Sequence, residues 1–260
     1  MRTSGAAGAL SALKREVATI EGTQASLEDG PSAQPFGIDG IDAALNGGLI
    51  RGALHEFGPA GAIHLGATFG FALALGSRAL AAHRRHVFWI ETTFAAAETG
   101  RPYGIGLDDF GLPARHLLIV RVPRPIDVLW VMEEALSCRA IAAVIGALTD
   151  DVGLNVTRRL SLAARASGGL GLMVRHRSSP MPSAAVTRWQ IAAAPSRLDA
   201  DGGVGHAAFD LSLVKNRHGR CGRWTILWDP HERAFRDPAL SVGVAQAAFD
   251  RSDRPFLRAG

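Results

Sequence analysis

The sequence predicts an α/β protein: a mostly parallel twisted sheet flanked by helices, with antiparallel edge strands at its C-terminal side. Three observations carry this. Between Ala53 and Arg175 short apolar runs alternate with segments of helical periodicity, the rhythm of βαβ units. The run Ala140–Leu148 is apolar throughout and rich in Val and Ile, as a strand buried on both faces must be. Beyond Arg175 the long helical segments stop, and Thr187–Ala193, Phe209–Val214 and Arg223–Trp228 read as strands joined by turns.

Taken in order, residues 1–21 form an amphipathic helix. Leu10, Leu13, Val17 and Ile20 recur at three- and four-residue steps on one face. That face either packs on the chain's own body or docks on another subunit or partner. Residues 22–35 are polar and turn-prone and read as a linker. A body follows over residues 36–240. Its strands are expected at Ala53–Phe57, His86–Glu91, Leu117–Arg121, Ala140–Leu148 and Leu170–Arg175. Its helices are expected at Ala67–Arg84, Ile126–Ser137 and Leu154–Ser167, the last stopped by Gly168-Gly169. Residues 241–260 read as a tail or a final short helix, apolar at Val242, Phe249 and Phe256.

Composition narrows the function classes. The chain has 260 residues, 47% hydrophobic and 20% charged, an ordinary globular balance. Its two cysteines, Cys138 and Cys221, form no CxxC. A disulfide scaffold and a thiolate zinc site are therefore not expected, and a reducing cytosol is. The longest apolar stretch, Phe69–Ala82, is interrupted by Arg78 and is too short for a membrane span. The N-terminus lacks the pattern of a secretory signal. The nine histidines show no ligand spacing, and no nucleophile elbow occurs. Net charge is +4, and Lys14 and Lys215 are the only lysines among 28 cations. Arginine forks suit phosphates and acidic partners.

The most informative segment runs from Gly37 to Gly61. Ile38, Ile41 and Leu45 lie on one face of a short helix, Gly47-Gly48 ends it, Gly52 turns the chain and a strand follows. That strand ends in Gly58-Pro59-Ala60-Gly61, with a helix directly after. Strand, loop and helix in this order are the setting of a phosphate loop.

A working phosphate loop needs a glycine, then Lys, then Ser or Thr for Mg²⁺. Counted from Gly58, those positions hold Ile63, His64 and Leu65. Ile63 blocks close backbone approach, His64 is shorter than lysine, and Leu65 cannot ligate Mg²⁺. A slip of register to Gly66-Ala67-Thr68 still lacks lysine.

The segment resembles the start of the RecA-type ATPase core, and the whole from Phe36 to Pro238 most resembles the ImuA family, RecA-like accessory proteins of bacterial damage-induced mutagenesis. The resemblance points to three further positions. The Mg²⁺-holding acid at the end of the buried strand is replaced by Gly146. The catalytic base becomes Thr93, with Glu91 two residues earlier. The polar sensor after Leu170–Val174 becomes Arg175-His176. Losing several phosphoryl-transfer groups together implies a non-catalytic protein without nucleotide, metal or other cofactor.

Two segments remain that could act. Lys215, Asn216 and Arg217, with Arg220 behind them, occupy a hairpin turn and resemble the Lys-Asn-Arg motif that reaches across a subunit boundary in active relatives. They are either a solvated tip or a contact to a partner or phosphate. The segment 175–188, carrying Arg175, Arg177 and Arg188, sits where RecA has a DNA-binding loop. It offers no aromatic before Trp189, so only weak DNA contact is expected.

The resemblance implies a cytoplasmic, nucleoid-associated adaptor in translesion synthesis during the SOS response. Its implied partners are an ImuB-like relative of Y-family polymerases, through it an error-prone C-family polymerase, and RecA. A SulA-type cell-division inhibitor and a divergent RecA-like ATPase are the alternatives.

Overall fold

The computed structural model describes residues 32–80, 86–100, 102–196 and 205–238. All but Ser32 belong to the unit from Ala33 onward, one of two into which the chain divides. The predicted helix of residues 1–21 and the predicted tail of residues 241–260 lie outside the described residues.

The described chain begins with β1 (Ala33–Gln34), which pairs antiparallel with β2 (Leu49–Ile50) around helix α1 (Asp39–Ala44). The last residues of the expected linker are therefore strand. Gln34 Nε2 donates to Leu75 O at 3.1 Å and Arg78 Nη2 to Pro35 O at 2.7 Å. Asp42 explains the Ile-Asp-Gly-Ile-Asp run: its carboxylate accepts the Phe36 and Gly37 amides at 2.7 and 2.8 Å. Gly48 is obligatory, because its φ is 128° and a Cβ there would lie 2.3 Å from Gln34 O.

Nine strands form the main sheet. They are β3 (Ala53–Pro59), β4 (His86–Thr92), β5 (Leu117–Val122), β6 (Ile141–Leu148), β7 (Leu170–Arg175), β8 (Thr187–Ala194), β9 (Ala208–Asn216), β10 (Gly222–Asp229) and β11 (Ala234–Arg236). Their order is β11-β10-β9-β8-β3-β7-β6-β4-β5. From β5 to β8 every pairing is parallel, and from β8 to β11 every pairing is antiparallel, as the change of rhythm after Arg175 predicts.

The helices are α2 (Leu65–Arg78), α3 (Thr93–Thr99), α4 (Gly104–Asp109), α5 (Pro125–Ser137) and α6 (Leu154–Ser167). Helix α2 ends six residues before the expected Arg84, whereas α6 keeps its expected bounds and stops at left-handed Gly168.

Two cores lie on opposite faces of the sheet. One is aromatic: Phe71 of α2 packs with Phe36, Phe57, Trp189, Phe209 and Phe235. The Phe36–Trp189 and Phe71–Phe235 ring centroids are 5.8 and 5.5 Å apart, contacts worth about 0.5–1.5 kcal/mol each beyond burial. The other core is aliphatic: Met132 of α5 and Leu160 of α6 pack with Leu54, Ile90, Val144 and Met173 of the sheet. Alternation along β6 shows the division, since Val144 joins one core while Ala143 and Ile145 join the other. No helix among the described residues is long and apolar enough to cross a membrane.

Candidate functional site

The turn after β3 is where a phosphate loop would sit. Here the chain stays close to β8: Ala60 N donates to Ile191 O at 2.8 Å. A single 3-10 turn, Ala62–His64, leads into α2, and His64 N donates to Gly61 O at 2.9 Å. One amide of the turn is thus tied to β8 and another to the turn's own carbonyl. Ile63 is 88% exposed. His64 leans toward β8, where its Nδ1 accepts the Ala193 amide at 3.2 Å, so the ring in the lysine position braces the sheet. The alternative hydroxyl, Thr68, is buried and donates to His64 O at 3.0 Å.

The other positions singled out in the sequence fall differently. Gly146 does not end its strand, which continues to Leu148. A Cβ at Gly146 would lie 2.0 Å from Met132 Sδ, so the glycine lets α5 pack against β6. The acids at the true strand end are Asp150 and Asp151, which line a cleft of about 460 Å³ with Arg175 and Arg177. Thr93 is exposed at the start of α3, behind Thr92, whose Oγ1 accepts the Ala95 amide at 3.0 Å. Glu91 is buried, accepting Trp89 Nε1 at 2.8 Å and Arg121 Nε at 3.0 Å.

Arg175 corrects the DNA-loop expectation. Its side chain is 2% exposed and its Nε donates to Glu56 Oε1 at 2.7 Å. Arg188 Nη2 lies 3.1 Å from Glu56 Oε2, and the Ser183 hydroxyl donates to the same oxygen at 2.6 Å. Of that trio only Arg177 is exposed.

The hairpin expectation is corrected in part. Lys215 Nζ donates to Ser183 O at 2.7 Å and Asn216 Nδ2 to Ala44 O at 2.9 Å. Both are structural ties, while Arg217 and Arg220 are exposed. Desolvation, then the nearby Arg217 and Arg188, lowers the Lys215 pKa.

Register explains the convergence. Glu56 pairs with Arg188 across β3 and β8, and Arg188 with Lys215 across β8 and β9. The segment 175–188 thus meets the Glu56 carboxylate directly, and Lys215 is tied to that segment through Ser183 O. Glu56 lies midway along β3, while its partner Arg175 ends β7 on the side where open α/β sheets bind ligands. Sequence reasoning missed Glu56, although a lone acid inside an apolar strand signals a buried counter-charge.

His55, its neighbour in β3, is fully buried. Trp189 Nε1 donates to Thr187 Oγ1 at 2.9 Å, so the Thr187 hydrogen is free to meet His55 Nδ1 at 2.8 Å. His55 Nε2 then donates to Ile50 O at 2.9 Å. Desolvation pushes its pKa down to about 4.

A second cavity, about 260 Å³, opens between α2, β4, Gly100, Pro102 and α4. Phe69, Leu73, Trp89, Tyr103 and Phe110 line it, with Glu91 among them. His176 packs edge-on against Phe69, centroids 5.5 Å apart, and burial lowers its pKa. Nothing in the sequence reading pointed to this cavity. Leu10, Leu13, Val17 and Ile20, the expected docking face, lie outside the described residues.

Fold and site together define an α/β domain whose strand-to-helix turn, at the phosphate-loop position, is closed by its own hydrogen bonds and flanked by a buried Glu–Arg cluster. Two strains of Caulobacter vibrioides each have a Protein ImuA that is 34% identical over 132 residues, 46% of this chain and 54% of the relative. The chain spans about half the length of the curated relatives it matches. No protein-family model matches the chain.

Proposed function

We propose that this chain is a non-catalytic accessory protein of DNA-damage-induced mutagenesis, acting in the cytoplasm through what it binds. The observation that carries the reading is His64. The side chain at the phosphate-lysine position is turned onto Ala193 of β8, and its neighbours Ile63 and Leu65 bring neither a cation nor a hydroxyl. Phosphoryl transfer depends on positioned positive charge and a held metal. The likeness to ImuA supports the setting. An ImuB-like polymerase relative, an error-prone C-family polymerase and RecA are the partners we propose. The exposed Arg177, Arg217 and Arg220 are the proposed contacts to a partner or to DNA phosphates.

The test is complementation of damage-induced mutation in a strain lacking this chain, with co-purification of the ImuB-like protein. His64→Ala should complement as the unaltered chain does. A joint Arg177→Ala, Arg217→Ala and Arg220→Ala variant should lose partner recovery and mutagenesis. Loss of mutagenesis in His64→Ala with partner binding intact would overturn the non-catalytic reading.

A further inference from the structure

The two edges of the main sheet differ sharply. At one end β11 is three residues long and closes with Arg236 and Asp237, a short, charged edge of the kind that discourages pairing. At the other end β5 is six residues long, Leu117-Leu118-Ile119-Val120-Arg121-Val122, and its sole partner among the described residues is β4. Leu118 is 43% and Ile119 37% exposed, although they are consecutive and point to opposite faces. The single charge, Arg121, turns back onto its own Glu91 at 3.0 Å. No proline, bulge or outward-held charge blunts this strand, so it offers a row of backbone donors and acceptors together with apolar side chains on both faces.

We propose that β5 is a self-pairing edge: two copies of this chain join antiparallel along Leu117–Val122, about a two-fold axis perpendicular to the sheet. The occupant is a second copy because the strand is complementary to itself. Such an axis keeps each face on its own side, so a register centred on Ile119 sets Arg121 of one copy opposite Leu117 of the other. Centred on Val120, the register sets Arg121 opposite Ile119. Either way the remaining aliphatic side chains meet aliphatic ones and no like charges face each other across the pair. Beyond the strand, Arg124 is neutralised by its own Asp127 at 2.6 Å, which removes the nearest repulsion between copies.

Sedimentation equilibrium of the full chain at tens of micromolar tests this. The unaltered chain should have about twice the 27.4 kDa chain mass. Ile119→Lys should be monomeric, because lysine would face its own copy in the first register and Arg121 in the second. Ile119→Glu should be monomeric in the first register, where like charges meet, and should keep the dimer only in the second, where it faces Arg121. Mixing the two variants should restore a dimer, which also shows that both are folded. Trp130→Ala, an exposed apolar residue on α5, should leave the dimer intact. A monomeric unaltered chain, with the edge left for some other strand, would overturn the proposal. So would a dimer that persists in both charged variants, or a mixture that stays monomeric.

Discussion

Glu56 and Arg175 form an ion pair at 2.7 Å with both side chains 2% exposed. Arg188 and Ser183 hold the other carboxylate oxygen. Breaking such a pair leaves an uncompensated buried charge, costing about 3–5 kcal/mol. Glu56→Ala strands two guanidinium groups and should cost this much in urea denaturation. A loss below about 1 kcal/mol would mean that water reaches the cluster.

His55 makes stability pH-dependent. Its folded pKa is about 4 against an ordinary 6.5. Between those values the unfolded chain binds a proton that the folded chain excludes, so stability is fully present above 6.5 and falls as pH drops toward 4. The shift corresponds to about 3 kcal/mol. Denaturation midpoints in His55→Gln should change less over this window than those of the unaltered chain. Equal slopes would show that His55 does not set the acid sensitivity.

Most of the fold is legible in the sequence because its signals are local. The apolar runs, the helical stripes and Gly168 give β6, β7, α5 and α6 nearly to the residue. Gly146 misled because a glycine read as a strand end is in fact a packing gap for Met132, and only the tertiary structure brings α5 over it. Arg175, Arg188 and Lys215 were legible as cations. Their inward direction was not, because it depends on strand pairings distant in sequence: β3 brings Glu56 beside Arg188 and the end of β7, and β9 sets Lys215 opposite Arg188.

The packing of Gly146 against Met132 has its own signature. Gly146→Ala forces a methyl into the methionine sulfur and should cost about 1–3 kcal/mol. Combined with Met132→Ala, which removes the obstructing atoms, it should cost less than the sum of the single variants. Additive losses in a double-mutant cycle would exclude the contact.

Lys215 and Arg217 are adjacent but should separate by role. Lys215→Ala removes the tie to Ser183 O and should lower the unfolding free energy in urea by about 1 kcal/mol. Arg217→Ala should leave stability within about 0.5 kcal/mol and lower recovery of the partner. The reverse pattern would assign Arg217 to the fold and Lys215 to the surface.

Titration calorimetry of the full chain with Mg²⁺ and ATP is the most direct test of whether the turn at His64 handles nucleotide. An accessory protein with this turn predicts no saturable heat, so any dissociation constant lies above about 1 mM, and His64→Ala is indistinguishable. Saturable Mg²⁺-dependent binding that His64→Ala abolishes would contradict that role.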